Sequence, residues 1–182
     1  MTLDEFWDHI RATKSPAARQ HAKALTAHLA TLPPDEIIDF AYYWSRMLAE
    51  AHHWRLWHAA YIINGGCSDD GFEYFRDWLV LQGRDVFETA VADPDTLADV
   101  VPQTRNVECE CYPGRDAWFA ATGKKLLNDA DWKAFEAARD ARHPSWPRWP
   151  KLGERWDFGD RVEARKRLPR LAALFLGDGA GE

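Results

Sequence analysis

Apolar residues recur along this chain at helical spacing. Leu3, Phe6, Trp7 and Ile10 fall on one helix face, behind Thr2 and Glu5, which have the spacing of a capping box. Ser15 and Pro16 predict the start of a second helix with proline at its first position, and Ala18, Ala22, Leu25 and Leu29 give it a narrow apolar stripe. Leu32, Pro33 and Pro34 break the chain. Pro34, Asp35 and Glu36 open a third helix, its acids near the positive end of the dipole, with Ile37, Ala41, Trp44 and Leu48 as its inner face. At His52 and His53 the pattern either continues or bends. Trp54, Trp57, Ala60 and Tyr61 then keep helical spacing to about Ile63, where Asn64, Gly65 and Gly66 stop the helix.

Ser68, Asp69 and Asp70 supply N-caps for the next helix, with Asp70 and Glu73 spaced as a second capping box. Phe72, Phe75 and Leu79 share one face, and Tyr74, Trp78 and Leu81 widen it, which predicts a helix buried on a broad front until Gly83. A helix over 84–92 follows, then a short one through Asp99 capped by Asp93, Pro94 and Asp95. Val107 to Tyr112 alternates like a strand, but a lone strand without a partner makes no sheet, so it reads as an extended loop. A helix over 117–121 ends at Gly123, and Asn128 or Asp129 caps one that runs to Arg142. His143 to Pro150 is rich in Pro and Trp and cannot be regular helix. Asp160 and Glu163 cap a last helix that Pro169 interrupts and that ends near Phe175, after which Gly177 to Glu182 is expected to fray.

The expected fold is therefore all-α, a bundle-like array of seven to nine helices with no sheet larger than a short hairpin. Residues 1–142 are read as a helical domain, and 143–182 as a Pro/Trp-rich arm and C-terminal helix packed on it. Composition adds the character of the core. Ten Trp, nine Phe and five Tyr must supply much of it, and buried Trp and Tyr need partners for their N–H and O–H groups while their rings make good ligand walls.

Charge narrows the function classes. A formal net charge of −6 argues against a sequence-independent grip on nucleic acid, and the basic residues near 161–170 are interspersed with Asp160 and Glu163, as on a solvated helix face. No apolar run approaches the ~18 residues of a membrane helix. Three cysteines, Cys67, Cys109 and Cys111, with no apolar signal segment at the start, read as free thiols in a reducing compartment, hence the cytoplasm.

The densest chemistry lies between Tyr61 and Arg76. A thiol (Cys67), a hydroxyl (Ser68) and two carboxylates (Asp69, Asp70) sit in a glycine-flanked turn ahead of a helix N-terminus. Free N–H groups, close backbone approach and a thiol of lowered pKa are all available at such a place. The same block also reads as a well-capped corner with a small buried Cys and a paired Arg76, and residue types alone favour that reading.

Here the chain resembles a known family. Asp4 to Trp7, Ile63 to Trp78 with its Gly-Gly-Cys-Ser-Asp-Asp run, Gly83-Arg84 and Ala92 to Ala98 are similar to an uncharacterised bacterial family, domain of unknown function 4240, over roughly the first two thirds of the chain. The resemblance implies a bacterial, intracellular protein, some relatives being associated with a tryptophan–glycine–arginine nucleic-acid-binding module. Trp-Gly-Arg does not occur here, so that link does not carry over.

Other clusters are weaker. His53 and His58 are five apart, not the three or four that puts two ligands on one helix face. Cys109 and Cys111 form a single C-x-C arm, and Cys67 with one His is the best complement for a zinc cage. Trp146, Trp149 and Trp156 read as an arm that wraps its own domain. Motifs of nucleotide-binding loops, serine hydrolases and zinc proteases are absent. The leading expectation is a non-catalytic binding or regulatory module. It would recognise a partner protein or small polar ligand through Trp7, Trp57, Tyr61, Asn64, Cys67, Ser68, Asp69, Asp70 and Arg76, with no cofactor, metal or catalytic residue assigned. The alternatives are a hydrolase or transferase using Cys67 or Asp70 with His58 or His53, and a zinc-stabilised structural protein.

Overall fold

A computed structural model describes residues 1–101, 106–153 and 155–177. The fold is all-α: ten α-helices and one 3-10 helix, with no strand among the described residues. That exceeds the seven to nine helices expected; the C-terminal stretch, for one, folds as two separate helices rather than as one interrupted helix. The chain forms two compact units from interleaved segments. One comprises residues 1–49 and 111–148, the other residues 50–110 and 149–182.

The first unit holds α1 (Leu3–Ala12), α2 (Ala18–Leu29), all but the last residue of α3 (Pro34–Glu50), α7 (Pro113–Thr122) and α8 (Asp129–Arg142). Thr2 and Glu5 form the expected capping box, and Phe6, Trp7 and Ile10 are the buried face of α1. Ser15 and Pro16 do not start α2. It begins at Ala18 behind Ala17, with no side-chain cap, and Ser15 is spent on the Gln20 side chain. Leu25, Leu29, Ile37 and Phe40 are sealed from solvent. Burial of side chains of this size contributes about 1.5–3 kcal/mol each.

Two buried polar side chains stand in that core, His21, whose Nε2 meets the Ile10 carbonyl at 2.9 Å, and Asp39. Asp39 of α3 accepts from the Met1 ammonium at 2.9 Å, from Arg142 through two nitrogens at 2.8 Å each, and from His143 Nε2 at 2.8 Å. Burial opposes its ionisation, but hydrogen bonds from Arg142, the Met1 ammonium and His143 outweigh this and hold the carboxyl well below the usual range. Helix α7 starts four residues before the expected 117, with Pro113 at its first position.

The second unit holds α4 (Trp54–Asn64), α5 (Asp69–Leu81), α6 (Arg84–Ala92), the 3-10 helix (Pro94–Asp99), α9 (Arg161–Arg167) and α10 (Pro169–Leu176). At His53 the chain bends: its backbone is extended and its Nδ1 accepts from the Leu56 N–H at 3.3 Å, capping α4. Pro169 does not merely interrupt a helix but opens α10. Leu168 offers that helix no side-chain cap, and Asp95 does so from the 3-10 helix, accepting from Arg170 N at 3.1 Å and Leu171 N at 3.0 Å. The fraying expected for 177–182 falls, beyond Gly177, outside the described residues.

Candidate functional site

The corner between α4 and α5 forms as its residue types dictate. Gly65 adopts the left-handed conformation (φ 69°) that closes α4, and Gly66 follows at φ 136°, a region glycine alone enters without strain. Ser68 is the N-cap of α5, its Oγ accepting from Gly71 N at 3.1 Å. The capping box expected between Asp70 and Glu73 does not form, since both lie inside the helix that Ser68 has already capped. The side chains of Asp69 and Asp70 are exposed and make no hydrogen bond among the described residues.

Several of the corner's polar groups are committed to holding backbone. Trp57 donates its indole N–H to the Cys67 carbonyl at 3.2 Å. Asn64 grips both polar groups of Val107, accepting from its N–H at 2.8 Å and donating to its carbonyl at 3.3 Å, and so serves the extended segment as a partner strand would. Cys109 N adds a bond to the Tyr74 carbonyl at 2.9 Å. Cys67 is half-buried, its Sγ 3.6 Å from the Ser68 carbonyl. Burial, reinforced by Glu108, pushes its thiol up to about 12, the reverse of an activated nucleophile.

Beside the corner lies a cavity of about 400 Å³. Its carboxylates are Asp69, Asp70 and Glu73, and its single guanidinium is Arg76. Aromatic walls come from Trp57, Phe72 and Trp149, closed by His52 and Leu152. Trp57 stacks on Phe72 at 4.7 Å between centroids, and Trp54 continues the stack at 5.2 Å. Arg76 is buried, donates Nε to the Phe72 carbonyl at 3.3 Å, and lies 4.8 Å from the Phe72 ring and 4.3 Å from that of Trp149. Burial draws its pKa down to about 10, against the pull of Glu73 and Asp77, so it stays charged at neutral pH. His52 is likewise lowered, first by burial and then by Arg76 and His53, and is neutral there. Three carboxylates against one guanidinium leave the lining two charges negative.

Of the residues singled out in the sequence, Trp57, Asp69, Asp70 and Arg76 line this cavity. Tyr61 instead meets Phe158 at 5.8 Å, and Asn64, Cys67 and Ser68 build the corner. Trp7 belongs to the first unit, in whose core it packs edge-on against Phe6 at 4.9 Å. His52, Phe72, Glu73, Trp149 and Leu152 complete the lining and were not part of the expected surface. Two of them carried a signal, His52 as a histidine beside tryptophans and Trp149 as part of the Pro/Trp arm.

The histidines suggested as proton partners have other work. His58 is sealed from solvent, accepts at Nδ1 from the Trp156 indole N–H at 3.0 Å and stacks on Phe158 at 4.8 Å, while His53 caps α4. Among the described residues no group of three or more His, Cys, Asp or Glu is placed to hold a metal ion. No described helix is long and apolar enough to cross a membrane.

Compared with known proteins, residues 1–125 match the model of a family described as "Protein of unknown function (DUF4240)". No curated protein matches, and no solved structure does.

Proposed function

Since the chain belongs to the DUF4240 family, whose description names no activity, we infer its role from its own geometry and propose a non-catalytic binding module that takes a small polar ligand bearing a cationic group. The observation that carries this reading is the 400 Å³ cavity at the start of α5, where three carboxylates face aromatic walls. Its volume lies within the ~300–1,000 Å³ typical of small-molecule sites. Carboxylates give a cation Coulombic attraction, and indole faces add cation–π attraction. Trp149, half exposed at 51%, is the wall most open to a ligand. The enzyme alternative is weaker, because the Cys67 thiol stays protonated and His53 and His58 are engaged elsewhere. Free thiols and the acidic balance fit a cytoplasmic setting.

The test is a titration followed by tryptophan fluorescence and indole N–H shifts, with benzylammonium as probe and benzyl alcohol as its uncharged counterpart. Benzylammonium should perturb Trp57 and Trp149 saturably. Binding should weaken about tenfold or more when Asp69, Asp70 and Glu73 become Asn, Asn and Gln, the loss expected for removing charge-assisted contacts. Equal binding of benzyl alcohol, or no response at Trp149, would overturn the proposal.

A further inference from the structure

The first unit contains a separate cavity of about 170 Å³, between α3, α7, α8 and the segment that follows α8. Two arginines line it, Arg115 from α7 and Arg139 from α8, and no acidic residue does. Both guanidiniums are held in similar ways. Arg115 lies 3.9 Å from the Tyr112 ring and gives its Nε to Asp116 at 2.8 Å. Arg139 lies 5.4 Å from the Trp146 ring and gives its Nε to Asp140 at 2.8 Å. One face and one edge of each group are thus used, and the terminal Nη groups have no hydrogen-bond partner among the described residues. Their side chains are exposed by 25% and 28%, and the unpartnered Nη atoms stay open to solvent, where a ligand can reach them.

The rest of the lining is apolar and flat. Trp44, Phe135 and Trp146 face the space, with Ala41 and Gly114 as small floor positions and Ser45 as a hydroxyl. Tyr112, the N-cap of α7, contributes no side-chain cap, so the positive end of that helix dipole adds to the arginines. Forked donors on two sides suit the two oxygens of a carboxylate, and aromatic walls suit a ring. The volume is below that of pockets for drug-sized molecules, which limits the occupant to about one ring.

We infer that this cavity is a second ligand site, selective for a small aryl carboxylate held between Arg115 and Arg139. Asp116 and Asp140 compensate the arginine charges and keep the fork edges aimed, so the site is selective for geometry as well as for charge. It is independent of the cation-binding cavity in the other unit, which uses none of these residues.

The experiment titrates the full chain with benzoate, with benzamide as the neutral isostere and with inorganic sulfate, following the indole N–H signals of Trp44 and Trp146. Benzoate should shift both saturably, benzamide should bind at least ~10-fold more weakly, and Arg139→Gln or Arg115→Gln should each weaken benzoate by ~10-fold or more. Thermal melts establish that each variant folds; should either fail to fold, the other and the benzoate–benzamide comparison still decide. Equal affinity for benzamide, sulfate binding as tight as benzoate, or benzoate binding that both arginine variants leave intact would overturn the inference.

Discussion

Gly114 and Ala41 meet so closely that a methyl group on Gly114 would stand 2.8 Å from the Ala41 Cβ and 2.9 Å from its Cα. The obstacle includes backbone of α3, which cannot rotate away as a side-chain end can. Gly114→Ala should therefore destabilise the protein by about 1–3 kcal/mol, the usual cost of overpacking, despite the ~1 kcal/mol that alanine gains over glycine in a helix. Gly71→Ala is the control. Its added methyl would meet only Ser68 Oγ at 3.4 Å and Cys67 Sγ at 3.6 Å, ordinary contact distances. Denaturant melts should show a loss for the first substitution and a neutral or slightly favourable change for the second.

Trp156 and His58 test how the Pro/Trp segment is tied to the rest of its unit. The indole N–H at 3.0 Å is the donor to His58 Nδ1, a fully buried acceptor. Trp156→Phe leaves that nitrogen unsatisfied and should cost about 1–3 kcal/mol. Adding His58→Phe removes the orphaned acceptor, so the double variant should recover part of the loss. A double variant whose loss equals the sum of the two single losses would mean that the pair is not coupled.

Local structure was legible in the sequence wherever one short stretch determines it. The Thr2 cap, the Gly65 stop and the Ser68 cap depend on residues within a turn of each other, and each forms as read. Residue type failed where a neighbour in space decides. Ser15 and Pro16 look like a helix start, yet α2 begins later, without a cap. The cap of α10 comes from Asp95, about 75 residues earlier in the chain. The cavity was half legible for the same reason. Asp69, Asp70 and Arg76 stood out by local chemistry, but Trp149 joins them only through tertiary packing on Arg76 and His52. Asn64 looked like a ligand contact because nothing in its surroundings announces that Val107 will occupy both ends of its amide.

His9 of α1 and His28 of α2 lie with Nδ1 2.9 Å from Nε2, so one ring must donate and the other accept. A doubly protonated pair has two donors facing each other and loses the bond. Burial and then His28 lower the His9 pKa, while Glu36, Glu5 and Asp8 act in the opposite direction. A histidine whose folded pKa lies below its unfolded one contributes stability that is complete above the ordinary value of 6.5 and is lost as pH falls through that value. His21, lowered by burial, adds to the same loss. Stability should therefore fall as pH drops from about 7 toward 5. His28→Gln should flatten that slope and raise the His9 pKa, read from imidazole proton shifts. An unchanged His9 titration would refute the coupling.

Cys67 decides between a scaffold corner and a nucleophilic one. Thiol reactivity follows the thiolate fraction, and a pKa pushed up to about 12 leaves almost none at pH 8. A small-molecule thiol with pKa near 8.5 is roughly one-quarter ionised there. The greater intrinsic nucleophilicity of a high-pKa thiolate recovers only part of the difference. Alkylation of Cys67 by iodoacetamide should accordingly run roughly 100-fold slower than that of free cysteine, followed by peptide mass spectrometry so that Cys109 and Cys111 are scored separately. The rate should rise steadily to high pH without a plateau near neutrality. Because the Trp57 indole bonds the Cys67 backbone carbonyl, which a serine keeps, Cys67→Ser should leave the corner and benzylammonium binding in place. Fast alkylation with an inflection near pH 7, or loss of ligand binding in Cys67→Ser at unchanged stability, would give the thiol a chemical role and restore the hydrolase or transferase reading.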